Sequence, residues 1–374
     1  MPQTSSLTPL SPRLHHPPSQ LDADLAQWLA AHADDLNRND AVSEEVVPRL
    51  ARAGLFAIGV PTAQGGAGGD VRDATQAISD VAEHSLAAAF AFWGQRSFIE
   101  YLLQSPNRAL AERRLPALLA GEHAGASGLS NAMKFLGGIE SLQVTAQAHA
   151  DGWRLHGKLP WVTNLSRAGF VTAAAVATTA ERPPMVVAFD SALPGVERSD
   201  DLDLIALRGS NTAAIALKNV AIDAADVLHE DARRYLPQVR PAFLSLQCGM
   251  SIGLSRASLH EALALSEARR GALGDTIRAL QHDLQATVEQ LLDGVADGRF
   301  QAQAAPLFRL RIRLAEIALQ AVGLELQAKG GSAYLMPHKN DFLRRWTEAA
   351  FVPVVTPSLT QLQAELQRHD AAHA

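Results

Sequence analysis

The sequence predicts an α+β protein in three consecutive blocks: an N-terminal helical domain, a middle antiparallel β-barrel or β-sandwich domain, and a C-terminal helical bundle. Two observations carry this. Apolar residues recur at three-to-four spacing up to about residue 120 and again beyond about 232, whereas between them the period drops to two. At 374 residues, 47% hydrophobic and 19% charged, the chain is also long enough for two or three units around a large buried core. Segregated helices and strands set it apart from α/β proteins, which alternate the two.

Residues 1–20, "MPQTSSLTPLSPRLHHPPSQ", are rich in Pro, Ser and Thr, lack an apolar run and hold one arginine. This predicts a disordered tail, and neither a secretory signal nor a transit peptide. The N-terminal domain, 21–124, follows with "LDADLAQWLAAHADDL" and with "SEEVVPRLARAGLFAIG", capped by Ser43 and stopped at Gly54. "GVPTAQGGAGGD" is a glycine-rich loop. "DATQAISDVAEHSLAAAFAFW" then reads as one mostly apolar helix, with "SFIEYLLQ" and "RALAERRLPALLAGE" as two shorter pieces. In the middle domain, 125–232, the β-rich runs are "SLQVTAQAHA", "WRLHGKLPWVTN", "GFVTAAAVAT", "PMVVAFD" and "TAAIALKNVAI". The first two form a hairpin through Asp151-Gly152, and Gly157-Lys158 gives a second turn signal ahead of Pro160 and Trp161. The C-terminal domain, 233–374, holds long helical segments suited to an antiparallel bundle.

Composition removes several function classes. A net charge of −6, with no Lys/Arg run longer than two, argues against a nucleic-acid partner. No apolar stretch approaches the roughly 20 residues that cross a bilayer, so no membrane partner is expected. The single cysteine, Cys248, permits no disulfide framework and lies in an apolar run as a buried, inert thiol. The 13 histidines include no H-x-H and no H-E-x-x-H zinc motif. The G-x-S-x-G run at 249–253 lies inside a long helical segment and not at a strand-to-helix elbow, and there is no phosphate-binding G-x-x-x-x-G-K-[ST] loop. The expected compartment is cytoplasmic. A tryptophan closing a hairpin, as Trp161 does, suits plain core as readily as a platform for a flat ligand.

Four stretches, in order, resemble the acyl-CoA dehydrogenase family of flavoproteins. "AGLFAIGVPTAQGGAGGD" is similar to that family's GLLGLGVPEEYGGLG segment, and "WRLHGKLPWVTNLSRAGFVTAAAVA" to its GYVLNGxKxWITNA strand. "LRGSNTAAIALKNVAIDAADVL" resembles GxRGSxTxxLxFxxVxVPxxxLLG, and "LELQAKGGSAYLMPHKNDFLRRWTEAAF" resembles AxQxxGGxGYxxxxPxxRxxRDA. The likeness runs from about residue 21 to the end.

The resemblance implies FAD. Trp161 matches the indole that stacks near the isoalloxazine, and Thr163 the hydroxyl that hydrogen-bonds it. Arg270 and Gly274 match an Arg-x-x-Phe-Gly motif, although Leu273 replaces its aromatic residue. Gln327, Gly330 and Gly331 match a Gln-x-x-Gly-Gly motif. In the family both motifs reach a neighbouring subunit's cofactor, which implies a homodimer or homotetramer. In "GLSNAMKFLGG", Ser130 or Asn131 is placed to bond the ring's pyrimidine edge, but the segment departs from the family loop. Aligning the 345–362 stretch through Arg345, Thr356, Leu359 and Leu362 puts Thr356 at a cofactor position. It also puts Val354 where the family carries its catalytic glutamate. Glu348 is the nearest carboxylate, nearly two helical turns away. The implied function is a flavin oxidoreductase acting on an acyl-CoA thioester or related compound, with its base unidentified. Two alternatives stand: a flavin monooxygenase of the same fold, which needs no such base, and a catalytically silent, flavin-free partner subunit.

Overall fold

A computed structural model describes residues 21–149, 152–178, 182–268, 271–335 and 341–373. The expected tail, 1–20, lies outside the described residues. Five helices come first: α1 (Ala23–Arg38), α2 (Ser43–Arg52), α3 (Val71–His84), α4 (Leu86–Gln104) and α5 (Arg108–Leu119). The middle part holds β1 (Ala124–Ser127), a short helix α6 (Ser130–Leu136), β2 (Val144–His149), β3 (Gly152–Val162), β4 (Phe170–Val176) and β5 (Met185–Asp190). It ends with β6 (Val196–Asp201), β7 (Ala213–Asp223) and β8 (Val227–His229). The C-terminal part holds α7 (Ala232–Ala268), α8 (Gly274–Ala296), α9 (Arg299–Ala302), α10 (Ala304–Lys329), α11 (Asp341–Phe351) and α12 (Leu359–His373).

The apolar segment read as one helix is in fact broken at Ser85. That residue is extended (φ −151°), and its hydroxyl accepts from the Ala88 amide, so it ends α3 and caps α4. The "SFIEYLLQ" piece is the second half of α4, because nothing between Trp93 and Ser97 interrupts the helical ladder.

The strands form two four-stranded sheets, ordered β1-β4-β5-β8 and β2-β3-β7-β6. They share one core in which Phe170, Val187 and Phe189 face Leu155, Val162 and Ile215. This is the sandwich of the two expected forms, not a closed barrel, and it is not wholly antiparallel. β1 pairs with β4 in parallel, since α6, β2 and β3 intervene before the chain returns beside it. The two helical parts are not separate in their packing: Leu29, Ile78 and Phe92 join Leu246, Leu254 and Leu314 in one core.

Candidate functional site

β3 does not turn at Gly157-Lys158; it runs through to Val162. Gly157 has φ +138°, and a Cβ there would lie 2.2 Å from the Gln143 carbonyl oxygen, so the glycine serves close strand approach. The irregularity comes later. Leu159 pairs with Ile215 and Val162 with Ala213, which leaves Pro160 and Trp161 together opposite Ala214. Proline suits this bulge because it has no N–H for the ladder. The extra residue breaks the inward–outward alternation, and the Trp161 indole is 58% exposed while Val162 and Thr163 are buried.

Behind the bulge lies a dense polar anchor. Thr163 Oγ1 donates to the Ser210 carbonyl at 3.1 Å and accepts from Thr212 Oγ1 at 3.1 Å. The Asn164 and Leu165 amides donate to the carbonyls of Ser210 and Asn211. Asn164 Nδ2 reaches Gln95 Oε1 at 3.0 Å and the Gly125 carbonyl at 2.9 Å. Gln95, in the middle of α4, also accepts from the Gly125 amide at 2.6 Å and donates to the carbonyls of Leu118 and His123 at 2.9 and 3.0 Å. α4 can come this close because position 94 is glycine: a Cβ there would sit 3.2 Å from side-chain atoms of both Thr163 and Asn164.

From the same helix an aromatic column runs towards the C-terminal part. Phe90 stacks on Trp93 at 5.5 Å and meets Phe351 edge-on at 4.7 Å, while Trp93 meets Phe243 of α7 at 4.9 Å. Phe351 ends α11 and leads into the loop 352–358. There Val354 is 63% exposed and Thr356 is half-buried, its carbonyl accepting from Gln247 Nε2 at 2.9 Å. No Asp or Glu occurs between 349 and 362. Glu348 is fully buried, and its carboxylate accepts from the Leu86 amide at 3.1 Å and from Arg344 Nη1 at 2.9 Å. It caps α4 and pairs a buried arginine.

The remaining positions are distributed as follows. The Asn131 amide braces its own loop: Nδ2 donates to Glu140 Oε2 and the Ser141 carbonyl, and Oδ1 accepts from the Gln143 amide. Gln327 is exposed near the end of α10, where Gly330 (φ +60°) stops the helix and Gly331 follows in a 3-10 turn. Gln327 edges an open groove of about 460 Å³ between α8 and α10, lined also by Ala279, Leu280, Gly323 and Leu324. Arg270 lies outside the described residues. Cys248 is buried and its thiol pushed up to about 12 by burial, so it stays a neutral apolar filler.

These residues fit a flavin in one clear respect and are already engaged in others. The exposed indole offers a flat apolar face for a tricycle. The Thr163 hydroxyl already gives its proton to Ser210, which leaves it one lone pair for a ligand donor. Sequence reasoning missed the anchor residues Gln95 and Asn164. Their signal was present as Gln-Arg directly after the apolar first half of α4, and as an asparagine directly after Trp-Val-Thr.

Comparison with known proteins was made on sequence and on structure. The family profile "Acyl-CoA dehydrogenase, N-terminal domain" matches residues 22–122. The mitochondrial isovaleryl-CoA dehydrogenase of Pongo abelii is 27% identical over 222 residues, which covers 57% of this chain and 52% of that one, so the match spans about half the relative's length. A probable acyl-CoA dehydrogenase of Bacillus subtilis (strain 168) is 24% identical over 331 residues, covering 82% and 85%. Among solved structures, glutaryl-coenzyme A dehydrogenase in complex with glutaryl-CoA superposes with a TM-score of 0.76 at 17% identity, covering 94% and 96%. KijD3 in complex with FMN and a dTDP-amino sugar superposes with a TM-score of 0.77 at 21% identity, covering 94% and 92%. These two likenesses establish the fold. Among the described residues no helix is long and apolar enough to cross a membrane.

Proposed function

We propose that this chain, which belongs to the acyl-CoA dehydrogenase family, is an FAD-dependent oxidoreductase acting on an acyl-CoA thioester or related compound. The observation that carries the reading is Trp161: a bulge holds an indole face out of the sandwich on a densely hydrogen-bonded anchor, which is how a rigid stacking platform is built. FAD, when bound, supplies the hydride acceptor. The chain's own residues hold and orient it. Trp161 packs on the ring, Thr163 lies at its polar edge, and Asn131 acts through the 140–143 loop. Thr356, Gln327, Gly330 and Gly331 serve the remainder of the dinucleotide. The names of the relatives, dehydrogenases and a reductase, favour this reading over a monooxygenase.

Val354 sets the wall where a thioester's α-proton would need a carboxylate, and Glu348 is held by Leu86 and Arg344. The chain is therefore a weak conventional desaturase with an apolar pocket wall. Assembly as a homodimer or homotetramer is supported by the groove beside Gln327, which can receive part of a second copy's cofactor; the family resemblance alone gives Arg270 the same role. A cytoplasmic compartment is part of the same reading.

The test is an anaerobic absorbance scan of the purified protein with a panel of acyl-CoAs. Bound yellow flavin that bleaches with one of them is the expected result. A colourless protein that takes up no FAD would overturn the reading in favour of a silent partner subunit. Sedimentation tests assembly: a monomer that retains full flavin defeats it.

A further inference from the structure

α10 carries a charge that the proposed function does not use. Arg311 is fully buried, and among the described residues it has no carboxylate partner. Its Nε donates to Gln247 Oε1 at 2.8 Å and its Nη2 to the Val352 carbonyl at 2.9 Å, while Nη1 has no acceptor. Ser251 Oγ, also unpartnered, lines the same void together with Leu86, Met250 and Val355, and that void has no room for a water molecule. A guanidinium taken out of water is compensated by a counter-charge or by a complete set of hydrogen bonds, and this one has neither. Burial accordingly pulls its pKa down from the ordinary arginine value. Stability alone does not explain such a residue, because an apolar side chain of similar volume would avoid the desolvation.

Its achievement is geometric. Gln247, held by Arg311 through Oε1, uses Nε2 to grip the Thr356 carbonyl at 2.9 Å. The pair thus fastens the carbonyls of residues 352 and 356, two positions on either side of Val354, to α10 and α7. We propose that Arg311 is a positioning residue, which through Gln247 fixes the 352–358 loop so that the side chains of residue 354 and Thr356 face the flavin and its substrate. What the loop faces rests on the function proposed above; the grip itself does not.

The test compares the full-length wild type with Arg311→Met/Gln247→Leu. Both buried polar partners leave together, and relief of the guanidinium's desolvation offsets the two carbonyl bonds lost, so the thermal midpoint is expected to hold or rise. Hydrogen exchange in peptides covering 351–358 is expected to quicken at least tenfold in the apoprotein, with α7 and α10 unchanged. FAD is expected to bind about tenfold more weakly. A lower midpoint with faster exchange throughout α7 and α10 would make Arg311 a structural residue and overturn the proposal, as would unchanged loop exchange. If the double variant does not fold, Gln247→Leu alone must still quicken exchange around Thr356, and failure to do so overturns the proposal equally. Absence of acyl-CoA-dependent bleaching in the wild type would defeat the proposed activity but would leave the exchange result to decide the role of Arg311.

Discussion

At the end of β3 a neutral amide, Gln95, makes four hydrogen bonds, whereas under the 352–358 loop a charged guanidinium, Arg311, makes two and leaves one nitrogen without an acceptor. Both are fully buried, and both hold a segment that bears site residues. The first arrangement is self-consistent: every polar group on the Gln95 amide has a partner, so it stabilises the fold while it orients Trp161 and Thr163. The second is not self-consistent, and such local violations gather where a chain is shaped for function. The two ends of one proposed site should therefore answer differently to substitution.

The largest effect is expected at the loop. General-base catalysis is typically worth about 10²–10⁴-fold. If the pocket is otherwise intact, Val354→Glu should raise the rate of acyl-CoA-dependent flavin reduction by about 10²-fold, measured by anaerobic stopped-flow. Robust wild-type turnover on a straight-chain acyl-CoA, indifferent to residue 354, would show that the loop does not sit where a base is needed.

At the β3 end the expected effect is on folding. Gln95→Leu strands the Gly125 amide and the Leu118 carbonyl in the interior and also releases the His123 carbonyl, at a cost of about 2–4 kcal/mol. Urea unfolding should show it, and it is the opposite of what is expected for Arg311→Met/Gln247→Leu. Equal losses at both places would erase the contrast between them.

How much of this was readable beforehand follows from the same contrast. Periodicity reveals the three-block order because burial of one face repeats along each element. The Trp161–Thr163 segment was singled out by its resemblance to the family strand, because the local run alone suits plain core as readily as a ligand platform. The break at Ser85 was missed because a single serine between two apolar runs gives little signal against them. Gly157-Lys158 was misread because glycine marks close strand approach and turns alike. Arg311 was beyond reach: within "FRLRIRLAEIAL" it is one of several arginines, and only the packing of α10 on α7 and the loop singles it out. Gln95 on α4 and Arg311 on α10 depend on tertiary neighbours 23 to 69 positions away in sequence.

A smaller effect is expected at Trp161. Truncating a half-exposed side chain on a bulge should change stability by no more than about 0.5 kcal/mol. Aromatic stacking contributes about 0.5–1.5 kcal/mol beyond burial, so Trp161→Ala should weaken FAD binding by up to about tenfold while the unfolding midpoint stays put. Full flavin occupancy in that variant at limiting FAD would remove the indole from the site.

The smallest expected effect on catalysis is at Glu348, the carboxylate nearest in sequence to Val354, the proposed base position. Its two oxygens are committed, one to the first amide of α4 and the other to Arg344, and the whole side chain is buried. To take a substrate proton it would have to abandon both, leaving an orphaned helix N-terminus and a buried arginine with only Asp341 at 3.4 Å. Glu348→Gln keeps an acceptor for the Leu86 amide but turns an N–H towards Arg344, so stability should fall by about 1–3 kcal/mol. The rate of flavin reduction per bound flavin should nevertheless match the wild type, because the groups that touch the cofactor are unmoved. A selective loss of that rate at unchanged flavin content would identify Glu348 as the base, and would mean that α11 turns during turnover to free the carboxylate from the cap it makes at rest.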